Sequence, residues 1–203
     1  MIKTSFKSSL IPACLLLMLM LPLVPTAAAP APPPLANAVI LIIRHAEKPD
    51  SGPGLTPAGE QRAADYIYYF QGYKINALPE HIDHLVASAD SKRSERPRLT
   101  VEPFSRAAKL PIDSRFLDKD VDALAQALEA KPSGRAILIC WHHSEIPELL
   151  QDLGANPETL LPGGKWPSSI YNWVIQLRFD SKGQLLAKQA KRINEHLMPG
   201  DAD

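Results

Sequence analysis

Apolar and polar positions along the chain follow two rhythms. The run VILII at residues 39–43 and the apolar body of RAILICW at 135–141 are β-branched and show no alternation. A strand covered on both faces has no polar side, so both predict central strands of a buried sheet. HLVAS at 84–88 predicts another. Between the runs the period changes. Thr56 stands at a helix cap with Pro57 in the first position, and Ala63, Ile67 and Phe70 follow at helical spacing. Residues 94–109 predict a second helix, interrupted near Pro103, which lacks the N–H that a helix interior needs. PIDSRF at 111–116 predicts a short edge strand, and residues 121–130 predict a helix with Leu124 and Leu128 on one face. A further helix is expected near 147–153, and NWVIQLRFD (172–180) and QLLAKQAKR (184–192) flank the turn Asp180-Ser181-Lys182-Gly183 of a hairpin. Strands alternating with helices define an α/β domain with a mainly parallel sheet and an antiparallel margin.

The first 28 residues break this pattern. Lys3 and Lys7 precede an apolar stretch from Leu10 to Val24, and the small residues Thr26, Ala27 and Ala28 follow. That order predicts a signal peptide, residues 1–28, and a periplasmic or secreted protein. Pro12, Pro22 and Pro25 interrupt the stretch, which is short for a membrane span, and Cys14 lies too early in it for a lipoprotein anchor. Residues 29–38, rich in Pro and Ala, read as an extended linker into a domain spanning 39–203. The whole chain balances 22 basic against 22 acidic side chains; losing Lys3 and Lys7 leaves 20 against 22, a formal charge of minus two. Such a surface gives no reason to expect nucleic acid as a partner, nor a membrane beyond the signal peptide. Only Cys140 survives processing, so the mature chain has no internal disulfide, and its place in an apolar strand predicts a buried, inert thiol.

In a parallel α/β sheet, ligands bind beyond the carboxyl ends of the strands. Arg44 and His45 follow the first apolar run, and His142 and His143 follow the run that ends at Trp141. Two strands thus deliver histidines to one edge, where an apolar strand ends in charge because it opens into a site.

At these residues the chain resembles the histidine phosphatase superfamily, the phosphoglycerate mutase-like enzymes. LIIRHAEKP resembles the Arg-His motif, GLTPAGEQRA (54–63) the helix that follows it, RPRLTVEP (96–103) the second arginine with its Thr-x-Glu-Pro segment, and ILICWHH the strand ending in the second histidine. The four occur in the family's order over residues 39–143. The resemblance implies a three-layer α/β/α sandwich and phosphoryl transfer from a small phosphorylated substrate through a phosphohistidine, with no metal and no cofactor.

The chemistry of these residue types agrees. A neutral imidazole is a usable nucleophile at neutral pH, whereas a phosphate dianion repels anionic attackers and needs cations around its oxygens. Arginine binds phosphate oxygens in a bidentate fork and stays charged. His45 is therefore expected to be the nucleophile, with Arg44, Arg96 and His142 forming the phosphate pocket and His143 lining the substrate side. SADSKRSERP is longer than the family's spacing, which makes Arg93 a competitor of Arg96; the distance from Arg96 to Thr100, Glu102 and Pro103 favours Arg96. RFLDKD (115–120) lies where the mutase-like branch carries its proton donor, so Asp118 is expected in that role ahead of Asp120, with Asp90 and Glu145 as further candidates. His81 and His84 offer two metal ligands at best and read as surface residues. LLPGGKWPSSIYNW (160–173) is either a loop pinned by a core tryptophan or one that brings Lys165, Trp166 and Tyr171 to the site. Two functions follow: an exported phosphomonoesterase, or a catalytically weak phosphate- or ligand-binding module of the same fold.

Overall fold

A computed structural model describes residue 1, residues 33–130 and residues 136–201. The expected signal peptide and the start of the Pro/Ala-rich linker lie outside the described residues. A six-stranded sheet is built from β1 (Val39–Arg44), β4 (His84–Ala87), β5 (Ile112–Asp113), β6 (Ala136–Trp141), β7 (Trp173–Arg178) and β8 (Lys191–Asn194), in the order β5-β4-β6-β1-β7-β8. The first four strands in that order run parallel, and β7 and β8 form the antiparallel margin. A separate two-stranded ribbon pairs β2 (Lys74–Ile75) with β3 (Leu78–Pro79).

The pleat sorts side chains to two faces. Val39, Leu41, Ile43, Leu138 and Cys140 meet α1 (Pro57–Gln71) and α2 (Arg96–Ala108) through Tyr66, Phe70, Val101 and Phe104. Ile40, Ile42, Ile137, Ile139 and Trp141 point the other way, onto α3 (Val121–Ala130), α4 (Ile146–Asp152) and α5 (Pro157–Leu160). The three layers follow from strands that are apolar on both sides. Cys140 is wholly buried, and burial pushes its thiol pKa up, as expected of an inert cysteine.

Four local features differ from the sequence expectation. Helix α2 runs unbroken through Pro103; the residue removes one hydrogen bond, while burial of Thr100, Val101 and Phe104 holds the helix to the sheet. On α1 the inward face is Arg62, Ala63, Tyr66 and Phe70, with Ile67 half-buried, because Arg62 and Tyr66 find carboxylate partners. The hairpin's returning strand begins at Lys191: the turn closes at a Phe179–Leu185 bridge, and a 3-10 turn at Ala187–Gln189 shifts the pairing before β8. The end of the linker is not extended. Leu35 is buried at positive φ and the Asn37 amide donates to the Asp180 carbonyl at 2.8 Å. Gly183 (φ +75°) sits against the Pro34 carbonyl, where a side chain would collide.

Candidate active site

Strands β1 and β6 are adjacent and parallel, with Arg44 opposite Trp141, so their C-terminal residues emerge side by side. The His45 amide donates to the Trp141 carbonyl at 2.9 Å, extending the ladder to the first histidine. The His45 and His142 rings meet edge to face at 5.3 Å between centroids. His45 is 2% exposed, and its Nδ1 lies 2.7 Å from the Ala46 carbonyl. A carbonyl only accepts, so Nδ1 carries the proton and the lone pair is on Nε2. Burial, with Arg44, His142 and Arg96 nearby, pushes the His45 pKa down to about 2 against the pull of the Ala46 hydrogen bond. The imidazole is neutral. Thr100 on α2 fixes this arrangement, because its hydroxyl accepts from the Ala46 amide at 2.8 Å and donates to the Arg96 carbonyl at 2.8 Å.

Two guanidinium groups face the histidines. Arg44 is fully buried, and burial lowers its pKa to about 10, which leaves it charged at neutral pH. Its Nη1 donates to the carbonyls of Ser168 (2.7 Å) and Ile170 (2.8 Å), and the Tyr171 ring lies 3.8 Å beneath its Cζ. Nε and Nη2 of Arg44 are buried with no hydrogen-bond partner, and so is Nε of Arg96. Arg96 is anchored through Nη1 to the carbonyls of Gly52 (3.2 Å) and Arg93 (3.3 Å). Arg93 itself is exposed. The hydroxyl of Ser88, at the end of β4, is also buried and unpartnered. Buried N–H groups left without acceptors cost free energy. Both guanidinium charges act on the His45 imidazole, and their unpartnered N–H groups fit an anion with several acceptor oxygens.

Of the four carboxylates, Asp118 acts most strongly on His142: burial lowers the His142 pKa, and Asp118 opposes that shift ahead of Glu145. Asp120 instead accepts from the Leu117 amide ahead of α3, and Asp90 pairs with Arg98 at 2.7 Å. Glu145 is buried and pairs with Lys119 and the Ser144 hydroxyl. His143 is half-buried, its pKa lowered to about 4 by burial and by Arg44. His81 is exposed and His84 half-buried on β4; among the described residues no group of three or more metal-ligating side chains is found. No helix among them is long and apolar enough to cross a membrane.

Both readings of the 160–173 loop hold for different residues. Trp166 is core, its ring tilted against Trp173 at 5.5 Å between centroids and donating to the Ile170 carbonyl, while Tyr171 reaches Arg44 and lies 6.3 Å from the His45 ring. Lys165 stays exposed. A buried charge cluster behind the site has no sequence signature. Arg62 on α1 is 2% exposed and donates to Glu47 (2.8 Å) and Asp201 (2.5 Å), with Glu195 at 3.7 Å. Tyr66 donates to Glu195, whose pKa burial pushes up to about 8. The cluster steadies Glu47, two residues beyond His45, and the first turn of α1 packs so closely on Glu47 that only Gly59 fits there.

The fold is a phosphoglycerate mutase-like three-layer α/β/α sandwich. The chain superposes on phosphoglycerate mutase from Plasmodium falciparum with a TM-score of 0.52 and 16% identity, covering 83% of this chain and 98% of that one. A phosphoserine phosphatase mutant from Entamoeba histolytica, in complex with phosphoserine, superposes with a TM-score of 0.50 and 12% identity, covering 79% and 98%. No protein-family model and no curated protein matches the sequence.

Proposed function

We propose that this protein is an exported phosphomonoesterase that hydrolyses small phosphate esters through a phosphohistidine on His45, without metal. The observation that carries the reading is the set of unpartnered guanidinium N–H groups on Arg44 and Arg96 around an imidazole whose free nitrogen is Nε2. The N-terminal pattern of Lys3, Lys7 and the apolar stretch supports export.

In the first step His45 Nε2 attacks phosphorus, the bond to the ester oxygen breaks, and Asp118 gives its proton to the departing alkoxide. Arg44, Arg96 and His142 donate to the three equatorial oxygens as charge spreads over them. In the second step the Asp118 carboxylate takes a proton from water as the water oxygen attacks phosphorus. The P–N bond breaks, His45 recovers its lone pair, and inorganic phosphate leaves.

A generic phosphate ester assay separates this reading from a binding module of the same fold, for which phosphate binding without turnover is expected. In the enzyme, His45→Ala removes both turnover and the acid-labile phosphoenzyme trapped from labelled substrate. Retention of phosphoenzyme in His45→Ala ends the phosphohistidine reading. Asp118→Asn is expected to slow an alkyl phosphate far more than a nitrophenyl phosphate, since a phenolate departs without a proton. Selective slowing by Asp120, Asp90 or Glu145 variants with Asp118→Asn unselective would reassign the acid.

A further inference from the structure

The segment that carries Asp118 is fastened at two points to the strand and loop that carry His142. Trp141, wholly buried at the end of β6, donates from Nε1 to the Asp118 carbonyl at 3.0 Å. One residue later, the Lys119 ammonium pairs with the Glu145 carboxylate, whose other oxygen accepts from the Ser144 hydroxyl. The Glu145 amide in turn donates to the His142 carbonyl at 3.1 Å. The chain from Asp118 through Lys119 and Glu145 to His142 is therefore continuous.

The two ends of this ion pair differ in environment. The Lys119 side chain is 74% exposed, whereas that of Glu145 is 4% exposed. Burial opposes the charge on Glu145, yet its pKa lies below the ordinary value because Lys119 and Ser144 hydrogen-bond it. A pair with one solvated end contributes little to stability, since lysine gives up rotamer freedom to form it. What the pair does control is position, because the residue it holds is the immediate neighbour of Asp118.

We infer that Glu145 is a positioning residue for proton transfer: through Lys119 it latches the Asp118 segment to the His142 loop, so that the proton donor and the phosphate pocket keep one geometry. The inference rests on the assignment of Asp118 as proton donor. It makes the latch matter for the leaving group and not for phosphate capture.

The test uses the full chain with two substrates, an alkyl phosphate and nitrophenyl phosphate. Lys119→Met is expected to lower kcat on the alkyl ester by about fivefold or more while leaving the aryl ester within about twofold. The double variant Lys119→Met with Glu145→Gln leaves no unpaired buried charge and is expected to match the single variant. In an Asp118→Asn background Lys119→Met should have no further effect on the alkyl-to-aryl ratio. Equal slowing of both substrates, or an effect that adds to that of Asp118→Asn, overturns the latch. If Asp118→Asn is selective and Lys119→Met is not, the latch falls and the mechanism stands. If Asp118→Asn is unselective while His45→Ala is inactive, the acid assignment fails, and the latch with it.

Discussion

Protonation of His45 gives a stability signal that can be worked out in advance. In the unfolded chain a histidine titrates near 6.5, whereas in the native protein burial and the facing cations hold His45 near 2. Between these values the unfolded chain binds a proton that the native protein does not, so stability falls as pH falls from 6.5. At pH 5 the native imidazole is still neutral, and the loss is set by the unfolded chain alone: about 2 kcal/mol relative to pH 7, from a single group. His45→Asn removes that group. Urea denaturation of both proteins at pH 7 and pH 5 should show wild type losing about 2 kcal/mol more than the variant, or about 4–8 °C in Tm. Comparing pH dependences cancels whatever the substitution does to absolute stability, and His142 and His143 remain in both proteins. Equal pH dependence would mean that native His45 takes up a proton as readily as the unfolded chain, and the neutral imidazole would have to be abandoned.

Three further outcomes follow from named contacts. Thr100→Val strips the acceptor from the buried Ala46 amide at nearly constant shape and should cost about 1–3 kcal/mol of stability together with a fall in kcat, while Thr100→Ser keeps the hydroxyl and most of both; chemical denaturation and steady-state assays check this. Arg96→Gln should reduce kcat about a hundredfold or more, against an effect of about twofold or less for the exposed Arg93→Gln, so equal effects would reopen the choice between them. Tyr171→Leu removes the ring beneath Arg44 and should weaken inhibition by inorganic phosphate about 2- to 30-fold, with Tyr171→Phe close to wild type.

The parts of the molecule legible in the sequence are those governed by burial along a strand. VILII and AILIC had to be central because neither offers a polar face, and once both lie in one parallel sheet their terminal histidines share an edge. Contacts decided by single polar atoms across long separations left no such trace. Tyr171 meets Arg44 from a loop without periodicity, more than a hundred residues away. Arg62 occupies an inward helical position that a hydropathy pattern assigns to solvent, because its carboxylate partners at 47, 195 and 201 are scattered along the chain. Pro103 was expected to interrupt a helix that tertiary burial keeps whole. The displaced returning strand depends on a short 3-10 turn, a choice local composition does not fix.

The sheet order has a consequence for how the protein is made. The first strand of the domain lies between β6 and β7, so its partner Ala136 is synthesised about a hundred residues after Val39, and its other neighbour later still. Until then an apolar ribbon has neither edge paired, which makes folding slow and leaves the nascent chain prone to association. His45 acquires its neighbour His142 in the same event that closes those edges. Nascent chains released at successive lengths should therefore gain protease resistance and phosphate binding together, late, and without a partly competent form between.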